Sequence, residues 1–298
     1  MSAIWRPIWH HASQSNQWSI IVTMGNNSNR YVVVIPVFNQ LHYTSQCVAS
    51  LLEQRVRPEE ILIIDNASSD ETPLWLANHP ELKQLRNKVN LGCGCAWTQG
   101  VVLSPDAEWI VLLNNDVLSG PDAIGALLDA AEREKLGVVS PALLEGPNDY
   151  DFGNFALKYQ KSMSGMVRRG RFHGVCFAVH RSVIEKVGFP DTDRRLGGYE
   201  DAEYLFRCRR ADIPVGIVGD SVFHHFGSIT QKAIKQNTGQ RSLGDLRYFR
   251  TRAGSGWLSR KRDKFRSKIA FRKWIEQETA RSGFSLHMTR KDGAWEIC

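Results

Sequence analysis

The stretch Leu112-Leu113-Asn114-Asn115-Asp116-Val117 decides how this chain folds and where its chemistry lies. Residues 110–113 are all apolar and predict a buried strand, and the polar triplet follows where that strand would end. Ligands of open α/β sheets bind outside the carboxyl ends of the strands. Asp116 beside two amides suits a divalent cation held against a diphosphate, because magnesium is commonly bound by one or two carboxylates plus substrate phosphates. A strand followed by an ordinary Asn/Asp turn is the alternative.

The composition indicates a globular protein with an uneven charge distribution. The 298 residues are 42% hydrophobic, which is enough for one large or two small domains. From Arg241 onward there are fifteen Lys/Arg against six Asp/Glu, whereas the first 240 residues are close to neutral. A uniformly basic nucleic-acid binder would look different, so we expect no nucleic-acid partner. The cationic end predicts contact with an anionic surface.

The sequence also favours a cytoplasmic location. No run of 18 apolar residues predicts a transmembrane helix, and no secretory signal is visible. The six cysteines are scattered without a C-x-x-C pair, which favours free thiols.

From Tyr31 onward, strand-like and helix-like segments alternate. Strands are predicted at 31–36, 60–65, 82–87 and 109–113, and helices at 41–53, 71–78, 94–103 and 122–135. This alternation predicts an α/β fold with a mostly parallel sheet flanked by helices. Beyond Gly137 the pattern is irregular, with strands expected at 138–141, 176–179 and 215–218. We expect an N-terminal extension at 1–30, a main domain at 31–240 and a basic helical C-terminal region at 241–298.

Polar clusters follow three of the predicted strands, namely Phe38-Asn39, Asp65-Asn66 and the 114–116 triplet. Parallel strands end at the same edge of a sheet, so these clusters are expected to line one crevice. Asp65 could accept hydrogen bonds from a base or a ribose there, or it could cap the next helix. The chain has neither a P-loop nor a G-x-G-x-x-G after its first strand, which argues against dinucleotide binding. The segment 90–94, Asn-Leu-Gly-Cys-Gly, adds backbone flexibility near this edge.

Two further clusters are candidates for chemistry. In Gly197-Gly198-Tyr199-Glu200-Asp201, the carboxylates either stabilise a helix N-terminus or supply a general base that must reach the proton it removes. His224 and His225 are adjacent on an extended segment, so at most one of them faces the crevice. That histidine could join Asp116 at a metal or contact a diphosphate.

In this order the motifs resemble the family 2 glycosyltransferases with the GT-A fold, in particular the bacterial rhamnosyltransferase-like branch. The resemblance spans roughly residues 31–232 and rests on six motifs. They are Val34-Ile35-Pro36-Val37-Phe38-Asn39, Ile64-Asp65-Asn66-Ala67-Ser68-Ser69-Asp70, Asn90-Leu91-Gly92, Leu113-Asn114-Asn115-Asp116-Val117, Gly198-Tyr199-Glu200-Asp201 and His225-Phe226-Gly227-Ser228.

The resemblance implies roles for residues of this chain. A nucleotide-sugar donor would be bound by Pro36, Phe38, Asn39, Asp65, Asn66, Asn90, Gly92, Asn114, Asn115 and Asp116. Asp201 would be the catalytic base, and its neighbour Glu200 would act with it and contact the acceptor together with Tyr199. Asp116 and His225 would hold Mg²⁺ or Mn²⁺. Asn114 stands where the family has its first carboxylate, so dependence on a metal is left open.

The implied activity is an inverting transfer of a sugar to a hydroxyl of a glycan or a lipid-linked acceptor, in bacterial polysaccharide or lipopolysaccharide assembly. Basic and apolar residues are interleaved at 258–274, which favours a peripheral site on the inner face of the membrane or, alternatively, the solvated face of a packed helix. A nucleotidyltransferase is a second possibility, but residues 36–40 lack the Lys or Arg that would grip phosphate. A degenerate domain that binds sugar nucleotide without catalysis, or acts as a scaffold, is the third.

Overall fold

A computed structural model describes residues 30–238, 244–253 and 257–298, with side chains left undescribed at 237, 238 and 257–268. The predicted N-terminal extension therefore lies outside the described residues, apart from Arg30. The strands are β1 Tyr31–Val37, β2 Ile61–Asp65, β3 Lys83–Arg86, β4 Trp109–Leu113, β5 Val117–Ser119, β6 Val138–Glu145, β7 Val167–Arg169, β8 Cys176–His180, β9 Val215–His225, β10 His287–Lys291 and β11 Ala294–Ile297. The helices are α1 Leu41–Glu53, α2 Thr72–Ala77, α3 Cys93–Val102, α4 Ala123–Arg133, α5 Phe152–Met163, α6 Arg181–Val187, α7 Glu200–Arg210, α8 Ile229–Thr238, α9 Leu246–Arg252 and α10 Trp257–Ser282, with short 3₁₀ turns at Pro58–Glu60 and Arg194–Leu196.

The strands form one mixed sheet in the order β11-β10-β6-β8-β4-β1-β2-β3, and β9 pairs with β5, β6 and β7. The half that contains β4, β1, β2 and β3 is parallel throughout, as the strand–helix alternation predicts. Antiparallel pairing begins where β8 lies between β4 and β6. The sheet as a whole is mixed, because residues after Gly137 return to it without a helical crossover before every strand. In this second half, β6 is parallel to β9 and β10 but antiparallel to β8.

The sheet is covered on both faces, which explains why its central strands are apolar throughout. In β1, Val33 and Ile35 pack into one core with α1 and α4, while Val32 and Val34 pack into another with α3. Gly100 allows α3 to come close to the sheet, since a Cβ there would lie 2.2 Å from a methyl carbon of Val34. This packing fixes the N-terminus of α3 near the carboxyl end of β1.

The C-terminal region, predicted to be basic and largely helical, contains helices α9 and α10 and also two strands that the sequence pattern did not predict. After α9 and α10, the strands β10 and β11 form a hairpin, and β10 pairs in parallel with β6. Buried Glu278 of α10 binds buried Arg168 at 2.7 Å and also accepts a hydrogen bond from the backbone N–H of Leu286. The strands were missed because their sequence is largely polar and their stability comes from pairing with residues far away in the chain.

Within the described ranges, no helix has an apolar stretch long enough to cross a bilayer. The side chains of residues 258–268, on which the membrane hypothesis largely rests, lie outside the described residues.

Candidate active site

A cavity of about 490 Å³ opens at the carboxyl ends of β1, β2 and β4. This volume is typical of sites that bind small ligands. Residues from all six sequence motifs meet in its wall, although they lie far apart in the chain. The predicted site residues that line it are Pro36, Phe38, Asn66, Asn90, Gly92, Asn114, Asn115, Asp116, Glu200 and Asp201.

Asn39 and Asp65 are near the cavity but do not line it. The side-chain oxygen of Asn39 accepts hydrogen bonds from the backbone N–H groups of Ser69 and Asp70 at 2.7 and 3.3 Å. Asp65 is fully buried, and one of its oxygens accepts from the N–H of Ser68 at 2.8 Å. Both side chains therefore brace the loops that follow β1 and β2.

A chain of amides holds the N-terminus of α3 against this edge. Asn87 donates to the side-chain oxygen of Asn66 at 2.8 Å, and Asn66 donates to the carbonyl of Gly92 at 3.2 Å. The N–H of Gly92 in turn donates to the side chain of Asn90 at 2.9 Å. Gly92 has φ +89°, a conformation that favours glycine. The Asn-Leu-Gly motif is therefore needed for this turn whatever ligand the cavity takes.

Asp116 lies beside the histidine pair His224-His225 because β5 pairs with β9 in antiparallel fashion, with Val117 opposite His225. The two side chains are nearly fully buried, and Asp116 Oδ2 lies 3.4 Å from His225 Nε2. The same carboxylate oxygen accepts the N–H of Ile229 at 2.9 Å, and His225 Nε2 accepts the N–H of Ser228 at 3.0 Å. Both side chains thus also hold the N-terminus of α8.

The two histidines point to opposite sides of β9, as an extended backbone requires. His224 contacts the hydroxyl of Tyr150 at 2.9 Å, and burial lowers the pKa of His224 to about 4. Burial also opposes a charge on His225, but contacts with Asp116 and Glu145 outweigh it and raise the pKa of His225 to about 9. Of the pair, His225 is the one placed beside Asp116.

Of this pair, Asp116 lines the cavity, whereas His225 does not line it and its Nε2 lone pair accepts the N–H of Ser228. Among the described residues, no cluster contains three or more metal-binding side chains. The Asp116 carboxylate suits a cation that takes its remaining ligands from substrate phosphates, as magnesium commonly does.

Glu200 and Asp201 open helix α7, where the helix dipole favours carboxylates. Burial raises the pKa of both carboxyl groups above their usual range. Glu200 accepts the N–H of Gly198 at 2.7 Å, so it also shapes the loop. Asp201 lies against Gly174, where a Cβ would come within 2.2 Å of Asp201 Oδ2. A partly buried carboxyl group with a raised pKa that faces a cavity suits a general base.

Tyr199, expected to contact the acceptor, instead stacks on Phe249 of α9 with ring centroids 5.2 Å apart. Tyr248 donates to Asp193 at 2.7 Å, and Arg252 pairs with Asp191. Contacts with helix α9 therefore hold residues 191–199, the segment that leads into Glu200 and Asp201. A polar, basic stretch such as α9 gives no sequence signal for this role.

Several lining residues were missed by the sequence reasoning. They are Trp97, Gly174, Val175, Arg194, Thr230, Gln231 and Ile234. Three of them lie on the first turns of α8, and their place just after the His-Phe-Gly-Ser motif was the available signal. Nothing in the local sequence around Gly174 marks it, since its contact with Asp201 arises only in the fold.

Comparison with known proteins places this chain in a family. The sequence profile described as Glycosyl transferase family 2 matches residues 32–188, which is more than half of the chain. An N-acetylglucosaminyl-diphospho-decaprenol L-rhamnosyltransferase of Mycobacterium tuberculosis is 27% identical over 231 residues, 65% of this chain and 75% of the relative. A low-salt glycan biosynthesis hexosyltransferase of Haloferax volcanii is 23% identical over 172 residues, 53% of this chain and 55% of the relative.

Solved structures share the fold. GalNAc-T7, determined with UDP, GalNAc and Mn²⁺, superposes with a TM-score of 0.53 at 15% identity over 67% of this chain and 44% of its own, so the match spans less than half of that protein. TarS of S. aureus superposes with a TM-score of 0.51 at 12% identity over 75% of this chain and 69% of its own.

Fold and cavity thus define the class of protein as a glycosyltransferase with a GT-A-like α/β fold. The chain belongs to glycosyl transferase family 2. The predictions of the fold class, of glycosyl transferase family 2 and of the glycosyltransferase enzyme class are confirmed. The 27% identical relative is a rhamnosyltransferase, to which the chain is similar as the predicted branch implies.

Proposed function

We propose that this protein is an inverting glycosyltransferase that moves a sugar from a nucleotide-sugar donor to a hydroxyl of a glycan or lipid-linked acceptor in cell-surface polysaccharide assembly. The observation that carries the proposal is that Asp116 and Asp201 line one cavity. A donor diphosphate beside Asp116 and an acceptor hydroxyl beside Asp201 can then meet in the same space.

The donor would occupy the part of the cavity formed by the carboxyl ends of the parallel strands. Pro36 lies near the end of β1 and Phe38 follows it, Asn66 follows β2, and Asn90 and Gly92 follow β3. Asn39 and Asp65 would contribute indirectly, because their side chains hold the loop that follows β2. The side chains Asn114, Asn115 and Asp116 close this side of the cavity at the end of β4.

The reaction is a single displacement at the anomeric carbon. Asp201 accepts the proton of the acceptor hydroxyl, whose oxygen forms the new bond as the bond from the anomeric carbon to the diphosphate oxygen breaks. The configuration at that carbon is inverted. The raised pKa of Asp201 serves this step, since a base works best with a pKa near the working pH.

Asp116 would hold Mg²⁺ or Mn²⁺ beside the donor diphosphate, where the cation would neutralise charge on the leaving group. His225 would join it as a ligand only if its Nε2 no longer accepted the N–H of Ser228. GalNAc-T7, which shares the fold, was solved with Mn²⁺ and UDP. With an amide at Asn114, the protein supplies one carboxylate from this triplet, so we expect the cation to bind weakly without the diphosphate.

The acceptor and the location are proposed from relatives and from charge. The Mycobacterium tuberculosis relative is named for an acceptor linked to decaprenol through a diphosphate and for L-rhamnose as the sugar. A lipid-linked acceptor would be reached from the inner face of the membrane. The basic sequence at 258–268 would favour an anionic surface there.

The test is a screen of nucleotide sugars, with dTDP-rhamnose first, by thermal shift with and without Mn²⁺, followed by transfer assays.

Replacing Asp201 with Asn should abolish sugar transfer while donor binding persists. Asp106→Asn, an exposed carboxylate away from the cavity, is the matched control. Transfer at the wild-type rate by Asp201→Asn would show that another group is the base.

A further inference from the structure

Arg194 is the only Lys or Arg among the described residues that line the cavity. Three carboxylates line the same space, namely Asp116, Glu200 and Asp201. A donor diphosphate would bring further negative charge to this wall, and like charges repel each other. A positive group from the protein would offset this repulsion, and Arg194 is the lining residue that can supply one.

The guanidinium of Arg194 is exposed and makes no ion pair or hydrogen bond with another described residue. The carboxylates nearest to it in the chain are already paired with other cations. Asp193 binds Arg195 at 2.6 Å, and Asp191 binds Arg252 of α9. Arg194 therefore keeps its hydrogen-bond donors available for a ligand in the cavity.

Contacts with α3 place Arg194 on the donor side of the cavity. The segment 191–199 lies close against the first turn of α3, since a Cβ on Gly94 would lie 2.2 Å from the carbonyl oxygen of Asp191. A Cβ on Gly92 would meet Cγ of Arg194 at 3.9 Å, so the stem of the arginine lies over Gly92. Gly92 belongs to the part of the wall that is proposed to bind the donor.

We propose that Arg194 binds the diphosphate of the nucleotide-sugar donor through its guanidinium. This inference rests on the proposed function, because it adds a residue to the donor site proposed there. A guanidinium binds phosphate oxygens through paired N–H···O hydrogen bonds, which suits the two phosphates of a nucleoside diphosphate. With an amide at Asn114, the contact supplies positive charge that does not depend on a bound cation.

The experiment measures the affinity of the full chain for dTDP, UDP and GDP by isothermal titration calorimetry, with EDTA present so that no divalent cation contributes. For the nucleotide that wild type binds most tightly, Arg194→Gln should lower the affinity on the order of 10- to 100-fold, as expected for lost hydrogen bonds to a charged group. Arg194→Lys should lose less, since lysine keeps the charge but not the paired geometry.

Arg55→Gln is the matched control and should bind the nucleotide as wild type does. It removes the same charge from an exposed residue between the end of α1 and the start of β2, at the edge of the sheet opposite the cavity. Equal losses in Arg194→Gln and Arg55→Gln would reduce the effect to net charge and overturn the inference.

The inference and the proposed function fail in different ways. Equal affinity in Arg194→Gln and wild type would overturn the inference and leave the proposed function standing. Binding to wild type that is measurable only when Mn²⁺ replaces EDTA would do the same. If wild type binds none of the three nucleotides in either condition, the proposed donor site is wrong and the inference falls with it.

Discussion

Gly174→Ala is the most direct test of the base, because the residue touches the carboxylate without contributing a functional group of its own. A Cβ at Gly174 would lie 2.2 Å from Oδ2 of Asp201 and 2.8 Å from its Cβ. Ordinary contacts begin near 3.4 Å, so the carboxylate oxygen must move by about 1 Å. Rotation of the Asp201 side chain relieves the contact with Oδ2, whereas the 2.8 Å contact with its Cβ requires a small shift of the backbone, which the melting temperature reports.

A displacement of about 1 Å from the productive geometry can cost on the order of 100-fold in rate. This corresponds to about 2.7 kcal/mol of transition-state stabilisation. We therefore expect Gly174→Ala to lower kcat about 100-fold with little change in donor affinity. The assay is initial-rate sugar transfer with the donor identified by the screen, and the melting temperature is measured alongside.

Gly153→Ala is the control, because Gly153 lies on helix α5, where a Cβ would meet nothing closer than 3.7 Å. It should leave kcat unchanged and be neutral or slightly stabilising. A wild-type kcat for Gly174→Ala, with an unchanged melting temperature, would refute the placement of Asp201 as the base.

Three further predictions concern pH, stability and membrane binding. Asp201 must be ionised to accept a proton, and burial raises its pKa above the ordinary value of about 3.9. As the pH is lowered, kcat/KM should therefore begin to fall above that value. A pH–rate profile in which the fall begins at or below it would contradict this prediction. Glu278→Ala leaves Arg168 buried without its carboxylate partner, so the free energy of unfolding in urea should fall by about 3–5 kcal/mol. Glu132→Ala, at an exposed ion pair, should lower it by at most about 1 kcal/mol. Equal losses in the two variants would contradict a stabilising role for the buried pair. Replacing the four Lys/Arg at 260–264 with Gln should weaken the free energy of binding to anionic vesicles by about 1 kcal/mol per charge, as measured by co-sedimentation. Unchanged vesicle binding would refute the membrane hypothesis.

Substitution is preferable to deletion in the vesicle experiment because of the C-terminal fold. Removing residues 258–298 would remove both Glu278 and strand β10, which pairs with β6. Loss of vesicle binding in such a truncation would not distinguish a missing basic surface from a damaged sheet.

The sequence predicted the parallel half of the sheet because its signals are local. Strands β1, β2 and β4 are short apolar runs that end in polar residues, and their carboxyl ends coincide with the cavity. The convergence of residues 116 and 201 could be predicted as well, since motif order constrained the topology.

The remainder depends on contacts that no local pattern encodes. β9 runs from Val215 to His225, but polar residues 219–221 interrupt its apolar pattern at a bulge in the pairing with β6, so only its first four residues were predicted. Local sequence also cannot distinguish a side chain that lines a cavity from one that braces its loops, as with Asn39 and Asp65. In the same way, local sequence gives no sign that Tyr199 stacks on Phe249, which lies fifty residues away in the chain.

The pairing of β10 with β6 has a consequence for how the protein is made. The chain is synthesised from its N-terminus, so β6 is made more than a hundred residues before β10. Until β10 is in place, that side of β6 presents unpaired backbone N–H and C=O groups, and such an edge can pair with a strand of another chain. Chains that stop before residue 287 should therefore aggregate more readily than the 298-residue chain.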